Sequence, residues 1–278
     1  MKLCNIKTAQ GVHLALLTER GIIDATAAGF GACMDEIIAG ADMAPLAEIA
    51  GNASLPVVED PVYANVVGKT GNLICVGLNY KEHAMKSANM LPEYPVLFAK
   101  LASALVPDNS EVALPPWETT YDYEAELVIV IGKEAWGVSE EDAMDYIFGY
   151  TCGNDVSCRA SQKRTSQWLP GKSMPGFGPC GPWVVTADSF DPNGDHMIRS
   201  IVNGEVRQNA VTSDMIFSCA KIVSYASKYL KLEPGDLIYT GTPSGVAGEG
   251  KFPFLVPGDL VEVEIEGIGK LTTKMVRG

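Results

Sequence analysis

The chain has 278 residues, of which 47% are hydrophobic and 20% charged, a composition that buries a core and excludes intrinsic disorder. Asp and Glu number 34 against 21 Lys and Arg, a net charge of -13. This argues against nucleic acid and anionic membrane as partners, because both reward a basic surface.

Residues 1–70 read as a small α+β domain. Strand-like pieces at 1–6, 13–18 and 21–24 are joined by turn residues, a helical stretch over 31–50 is rich in Ala, Ile, Met and Leu, and Pro56 and Pro61 bracket a linker. Residues 71–278 form a second, mainly β domain. Short β-branched runs at 72–77, 96–100, 127–132, 183–186, 237–240 and 260–266 alternate with Gly/Pro turns, which argues against a repeating βαβ unit. Pro-Gly-Asp-Leu occurs at 234–237 and again at 257–260, each time opening a strand. Three helical segments interrupt this domain: a short polar one over 80–86, one after the capping-box pattern Ser139–Asp142, and one over 215–230 with Ile216, Ala220, Val223 and Ser227 on a core-facing stripe. The apolar runs are too short to span a bilayer, and no secretory signal is expected at the N-terminus. Seven cysteines, none paired as CxxC, give neither a disulfide framework nor a zinc knuckle, and a reducing cytoplasm is the expected compartment.

The segment Tyr121-Asp-Tyr-Glu-Ala-Glu-Leu-Val-Ile-Val-Ile-Gly132 carries the chemistry. A strand has a side-chain period of two, so Glu124 and Glu126 share a face about 6–7 Å apart. Val128 and Val130 continue that face, and Ala125, Leu127 and Ile129 occupy the other. The two acids therefore point where a core begins, and burying like charges side by side is costly unless a cation or protons compensate. The same alternation at Glu262, Glu264 and Glu266, opposite Val261, Val263 and Ile265, reads as an ordinary half-buried strand with solvated acids. Asp155 adds a third carboxylate, in a strand or bend after the Ser139 helix. Three oxygen donors suit a hard divalent cation such as Mg²⁺. Arg159, Gln162 and Lys172 follow at spacings that suit an anionic substrate.

Motifs in chain order from about 72 to 270 carry a resemblance: Val76-Gly-Leu-Asn-Tyr-Lys-Glu-His83, Tyr94-Pro-Val-Leu-Phe-Ala-Lys100, Asp122-Tyr-Glu-Ala-Glu126, Asn154-Asp155-Val-Ser, Gly171-Lys-Ser173, Val202-Asn-Gly-Glu205 and Gly241-Thr-Pro-Ser-Gly245. As a set they resemble the fumarylacetoacetate hydrolase family. The resemblance implies a β-roll or distorted barrel with the active site at its mouth, and a homodimer. It implies Mg²⁺ or Mn²⁺ on Glu124, Glu126 and Asp155, and a small anionic 2-oxo acid as substrate. Lys172 would oppose a developing enolate, Thr242 would lie against the substrate carboxylate, Arg159 and Gln162 would line the pocket, and His83 would be the general base on a lid helix. In the family's hydrolases a glutamate three residues after this histidine polarises it; here that position is Lys86, and neither Glu82 nor Glu93 has the required spacing. The expected activity is hydrolysis of a C–C bond in an acylpyruvate-like β-diketo acid. Decarboxylation or tautomerisation of an oxaloacetate or oxo-heptenedioate type of substrate is the alternative, and a non-enzymatic metal- or metabolite-binding protein is an alternative of another class.

Overall fold

Every residue of the strand Ala125–Ile131 is buried, as its two apolar faces require, and this strand is the centre of the molecule. The computed structural model describes residues 1–278. Ala125–Ile131 pairs antiparallel with Ile147–Asn154 on one side and with Leu237–Tyr239 on the other. Leu237–Tyr239 continues in parallel to Leu73–Gly77, which pairs with Val96–Lys100 at one edge of the sheet. In the opposite direction Ile147–Asn154 pairs with Gly178–Thr186. The result is a mixed ten-stranded sheet.

A second sheet of five strands is built from the hairpins Met197–Val202/Glu205–Val211 and Leu260–Ile265/Gly269–Arg277, with Ser110–Leu114 in parallel at its edge. The two sheets share one apolar core: Ile198, Val263, Ile265 and Leu271 of the smaller sheet pack with Ile129, Tyr150 and Val185 of the larger. Neither sheet closes on itself, so the molecule is an open β-roll, mainly β with short helices at its margins.

The N-terminal strands Lys2–Thr8, Gly11–Thr18 and Gly21–Asp24 do not stand apart. Lys2–Thr8 pairs with Gly178–Thr186, and Leu3, Leu14 and Ile23 share a cluster with Val128, Val184 and Tyr239. The small N-terminal unit thus extends the large sheet. Its expected single helix over 31–50 is two, Met34–Ile38 and Ala44–Gly51. Gly40, at a φ of 104°, breaks the run where an L side chain would be strained.

The helix expected over 215–230 is shorter, Cys219–Ser227, because Ser218 caps it by accepting from the Lys221 N–H at 3.2 Å. Cys219, Ile222, Val223 and Ala226 are its core face. After Ser139 the chain forms only the 3₁₀ turn Ala143–Tyr146. The Asp142 carboxylate turns back to the Ser139 hydroxyl at 2.8 Å and does not cap a longer helix. The two Pro-Gly-Asp-Leu turns do open strands. In the first, the buried Asp236 carboxylate accepts from the backbone N–H groups of Asn72 and Glu233 at 2.7 and 3.0 Å, tying that turn to the start of Leu73–Gly77. No helix is long and apolar enough to cross a membrane.

Candidate active site

Strand register brings the three acids together. Gly153 lies opposite Glu126 and Asn154 opposite Ala125, and the ladder runs one step further through the Asp155 N–H to the Glu124 carbonyl at 3.0 Å. Glu124 and Glu126 share a face by the period of two, and Asp155 joins them because residues directly opposite in an antiparallel pair share a face. Their carboxylate oxygens lie within 4.8 Å of one another, and all three residues are buried. Asn154 secures the bend by accepting from the Glu124 N–H at 3.0 Å.

Cations surround the trio. Lys172, at the end of the short helix Leu169–Lys172, places Nζ 2.7 Å from both Glu124 Oε2 and Asp155 Oδ2. Arg159, opening Arg159–Gln162, pairs with Glu124 at 2.6 Å and with Asp122 at 2.7 Å, and its third nitrogen donates to Gln162 Oε1 at 3.0 Å. Lys100, at the end of Val96–Lys100, reaches Asp155 Oδ1 at 2.5 Å. Glu126 has no cation of its own. It accepts from the Gly241 N–H at 2.8 Å, a close approach that only glycine permits: φ is 101°, and a Cβ would meet Asn79 Cβ at 2.7 Å.

The electrostatics differ accordingly. Burial raises the Glu124 carboxyl, but Lys172 and Arg159 overcome it and hold it well below the ordinary range. Burial, reinforced by the charges of Asp155 and Glu124, pushes Glu126 well above it. Burial lowers the Lys172 ammonium, yet Asp155 and Glu124 more than reverse this and raise it. Glu126 thus bears the like-charge crowding of the cluster, and a divalent cation held by oxygen donors alone would relieve it. The donor set fits such an ion, and Glu124, Glu126 and Asp155 are the residues that would hold it.

A cavity of about 240 Å³ opens over this cluster. His83, Glu124, Glu126, Arg159, Gln162, Lys172 and Thr242 line it, with Phe98 and Trp168 as an aromatic wall; Asp155 sits beneath. Thr242 lines the cavity as expected of a residue beside the ligand, and its hydroxyl donates to the Ala125 carbonyl at 2.9 Å and accepts from Gln208 at 2.7 Å.

His83 lies on the helix Lys81–Ala88, which follows Leu78 in the left-handed region at φ 58° and ends at Asn89 at φ 54°. The histidine does have a carboxylate partner. Its Nδ1 lies 2.8 Å from Glu249 Oε1, both side chains being over nine-tenths buried. Glu249 sits in the turn Ala247–Glu249, 166 positions away in the chain. The absence of an acid three residues after His83 therefore does not leave the imidazole unpartnered. Lys86, at that position, donates to Ser244 Oγ at 2.7 Å and pairs with Glu82 at 2.6 Å. Asp122, Lys100 and Glu249 were not foreseen as site residues. Asp122 and Lys100 stood inside recognised motifs without a role, and nothing local marks Glu249.

A buried acid trio with attendant cations thus lies beneath a cavity that opens from the β-roll. Residues 72–276 match the family described as fumarylacetoacetate (FAA) hydrolase C-terminal, and the chain belongs to the fumarylacetoacetate hydrolase family. It is 45% identical over 222 residues to a 2,4-didehydro-3-deoxy-L-rhamnonate hydrolase of Sphingomonas sp., covering 78% of each chain. It is 41% identical over 207 residues to a mitochondrial oxaloacetate tautomerase of Xenopus laevis, covering 73% of this chain and 65% of that one. The solved fumarylacetoacetate hydrolase of the psychrophile Exiguobacterium antarcticum superposes with a TM-score of 0.86 at 32% identity, over the whole of both chains. The family thus includes hydrolases and a tautomerase.

Proposed function

We propose that this chain is a divalent-metal-dependent hydrolase that cleaves a C–C bond in a small acylpyruvate-type β-diketo acid. The observation that supports it best is the charge balance beneath the cavity. Four buried carboxylates, Asp122, Glu124, Glu126 and Asp155, face three cations, the buried Lys100 and Lys172 and the partly buried Arg159. Fully ionised, the cluster alone would carry one excess negative charge, the crowding that pushes Glu126 up; with Mg²⁺ or Mn²⁺ on the acid trio it would carry one excess positive charge, which attracts an anion. Such an ion, when bound, supplies Lewis-acid stabilisation of negative charge developing on the substrate's oxygens.

The chain's own residues supply the rest. Lys172, itself buried, adds positive charge against the same developing charge. Arg159 is spent mainly on holding Glu124 in place, and Gln162 and the Phe98–Trp168 wall shape the pocket. His83 takes a proton from water at its Nε2 edge, the water oxygen attacks the distal carbonyl, and the proton returns to the carbon that leaves as the pyruvate methyl. Its pairing with a buried carboxylate supports this base role.

A second reading is tautomerisation of a 2-oxo dicarboxylate such as oxaloacetate, favoured by the likeness to the Xenopus enzyme. It needs the same base and the same charge, but no water. A metal-supplemented screen of acylpyruvates and 2-oxo dicarboxylates with product identification separates the two. Hydrolysis yields pyruvate and a second acid, whereas tautomerisation yields only an absorbance change and solvent deuterium at C3. Metal binding with no turnover of any such acid would sink both.

A further inference from the structure

We propose that Lys163 is a specificity residue that binds a second carboxylate at the far end of the ligand, so that the cavity selects dicarboxylic 2-oxo acids over monocarboxylic ones. The proposal rests on the reading of the cavity as a 2-oxo acid site, and it is the same whether the bound acid is hydrolysed or tautomerised. Four lysine and arginine side chains line the cavity: Lys86, Arg159, Lys163 and Lys172. Three are already answered by acids. Lys172 lies against Glu124 and Asp155, Arg159 against Asp122 and Glu124, and Lys86 against Glu82 and, at longer range, Glu249. Lys163 alone has no carboxylate within ion-pair distance, in a chain with 34 acids.

Local geometry sets this ammonium at the rim. Arg159–Gln162 is a single helical turn, and the Lys163 N–H continues it by donating to the Arg159 carbonyl at 3.1 Å. Positions 159, 162 and 163 stand at i, i+3 and i+4 and share one helix face, and all three line the cavity. That face runs outward from the acid trio. Arg159 pairs with Glu124 at 2.6 Å with its side chain 11% exposed, Gln162 is buried, and Lys163 is exposed. A helical rise of about 1.5 Å per residue puts Lys163 about 6 Å beyond Arg159. Between floor and rim the wall is apolar. The Phe98 ring lies 5.1 Å from Lys172 Nζ, and Trp168 meets Phe98 edge-on at 5.2 Å. Trp168 lies so close over Gly77 that a Cβ there would meet its ring at 2.5 Å. A charged floor, an apolar wall and an unpaired ammonium at the rim match an acid with its 2-oxo carboxylate at one end, a short methylene chain, and a carboxylate at the other. Charge complementarity of this kind gives selectivity more than raw affinity.

Calorimetric titration of the full chain with Mg²⁺, using 2-oxoadipate and 2-oxohexanoate, tests this without turnover. The two acids share one carbon chain and differ in a terminal carboxylate against a methyl group. Lys163→Met removes the charge at an exposed position, where the fold tolerates substitution. It should weaken 2-oxoadipate about fivefold and change 2-oxohexanoate less than about twofold. Lys163→Arg should keep the wild-type affinity for 2-oxoadipate, and Lys163→Glu should weaken it further than Lys163→Met. The effect of Lys163→Met on 2-oxoadipate should shrink as salt is raised, since a rim charge is screened. On a dicarboxylic substrate, Lys163→Met should raise KM and leave kcat unchanged, because a contact remote from the reacting carbons is made equally in the ground and transition states. Equal loss of both acids, or loss of neither, overturns the proposal and leaves the functional reading standing. Failure of the Mg²⁺-loaded wild type to bind either acid overturns the functional reading, and the proposal with it.

Discussion

Lys100 Nζ lies 2.5 Å from Asp155 Oδ1, with both side chains wholly shielded from solvent. The same ammonium also donates to the carbonyls of Phe177 at 2.7 Å, of Val156 at 3.2 Å, and of Lys172. A buried lysine is tolerated only when its charge and its protons are all answered, and these partners do both. Lys100 braces two site residues at once: the acid that closes the trio, and the backbone from which Lys172 projects. Lys100→Met should therefore leave Asp155 with one cation in place of two. Breaking one side of a buried pair costs about 3–5 kcal/mol, and urea denaturation should show a loss of that order. Combined with Asp155→Asn, the loss should fall short of the sum of the two single variants, since the residues are in contact. Strict additivity would mean that the two do not act as a pair.

Lys86→Glu bears on the lid. Judged by chain position alone, this change completes a His–Glu arrangement within one helix and should raise the rate. The structure argues the opposite sign. Glu249 already occupies His83 Nδ1, and a carboxylate at 86 would replace the Lys86 ammonium 3.7 Å from Glu249 Oε2 and end its bond to Ser244. Like charges at such a distance repel, and the link from the helix Lys81–Ala88 through Ser244 to Glu249 is lost. Turnover of Lys86→Glu should fall several-fold, and the same change should help only when Glu249 is removed. Steady-state kinetics of the single and double variants check both signs.

The uneven legibility of this site has a physical origin. Glu124 and Glu126 declared themselves because a strand's period of two, set against Leu127–Ile131, leaves acids where apolar residues belong. Asp155 was readable as a third carboxylate in a strand or bend, but its place beside Glu124 depends on the register of Ile147–Asn154, which no local pattern of Gly149–Asn154 announces. Glu249 lay hidden for a stronger reason. Its partner is 166 positions away, and a glutamate between glycines in a turn looks like any solvated acid. The N-terminal unit shows the same limit: its three strands were readable from alternation, but not the pairing of Lys2–Thr8 with Gly178–Thr186. Local periodicity sets faces, whereas pairing across the chain is decided by which edges meet.

The Glu249 carboxyl gives a pH dependence to its contacts with His83, Ser244 and Gly245. Burial pushes it up, but the hydrogen bonds from His83, Ser244 and the Gly245 N–H prevail and bring it from the ordinary 4.5 down to about 2. A group whose folded pKa is depressed contributes stability above its unfolded value, and that contribution is lost as pH falls through the folded value. The wild type should thus be more stable than Glu249→Gln by a constant margin above about pH 5.5. The margin should shrink steadily below pH 4.5 and vanish near pH 2. Thermal melts of both proteins at a series of pH values measure it. A margin that persists unchanged to pH 2.5 would assign the Glu249 contribution to packing, not to charge.

Glu126→Gln separates the stability of the ion-free fold from its capacity to hold a cation. Glu126 is the one member of the trio without a cationic partner, and burial together with Asp155 and Glu124 pushes its carboxyl well above the ordinary range. Glutamine keeps the shape and, through its amide oxygen, the bond from the Gly241 N–H, while removing the crowded charge. In chelator, the variant should therefore melt higher than the wild type. A gain of about 1 kcal/mol corresponds to roughly 2–4 °C for a chain of this size class. Adding Mn²⁺ should reverse the order. The wild type gains RT ln(1 + [L]/Kd) from an ion that binds only the folded state, and the variant, short of one anionic ligand, gains much less. The crossing of the two melting temperatures as Mn²⁺ is titrated is the result to look for. A variant less stable than the wild type in chelator would show that Glu126 is comfortable as it stands, and that the trio was not shaped around a cation.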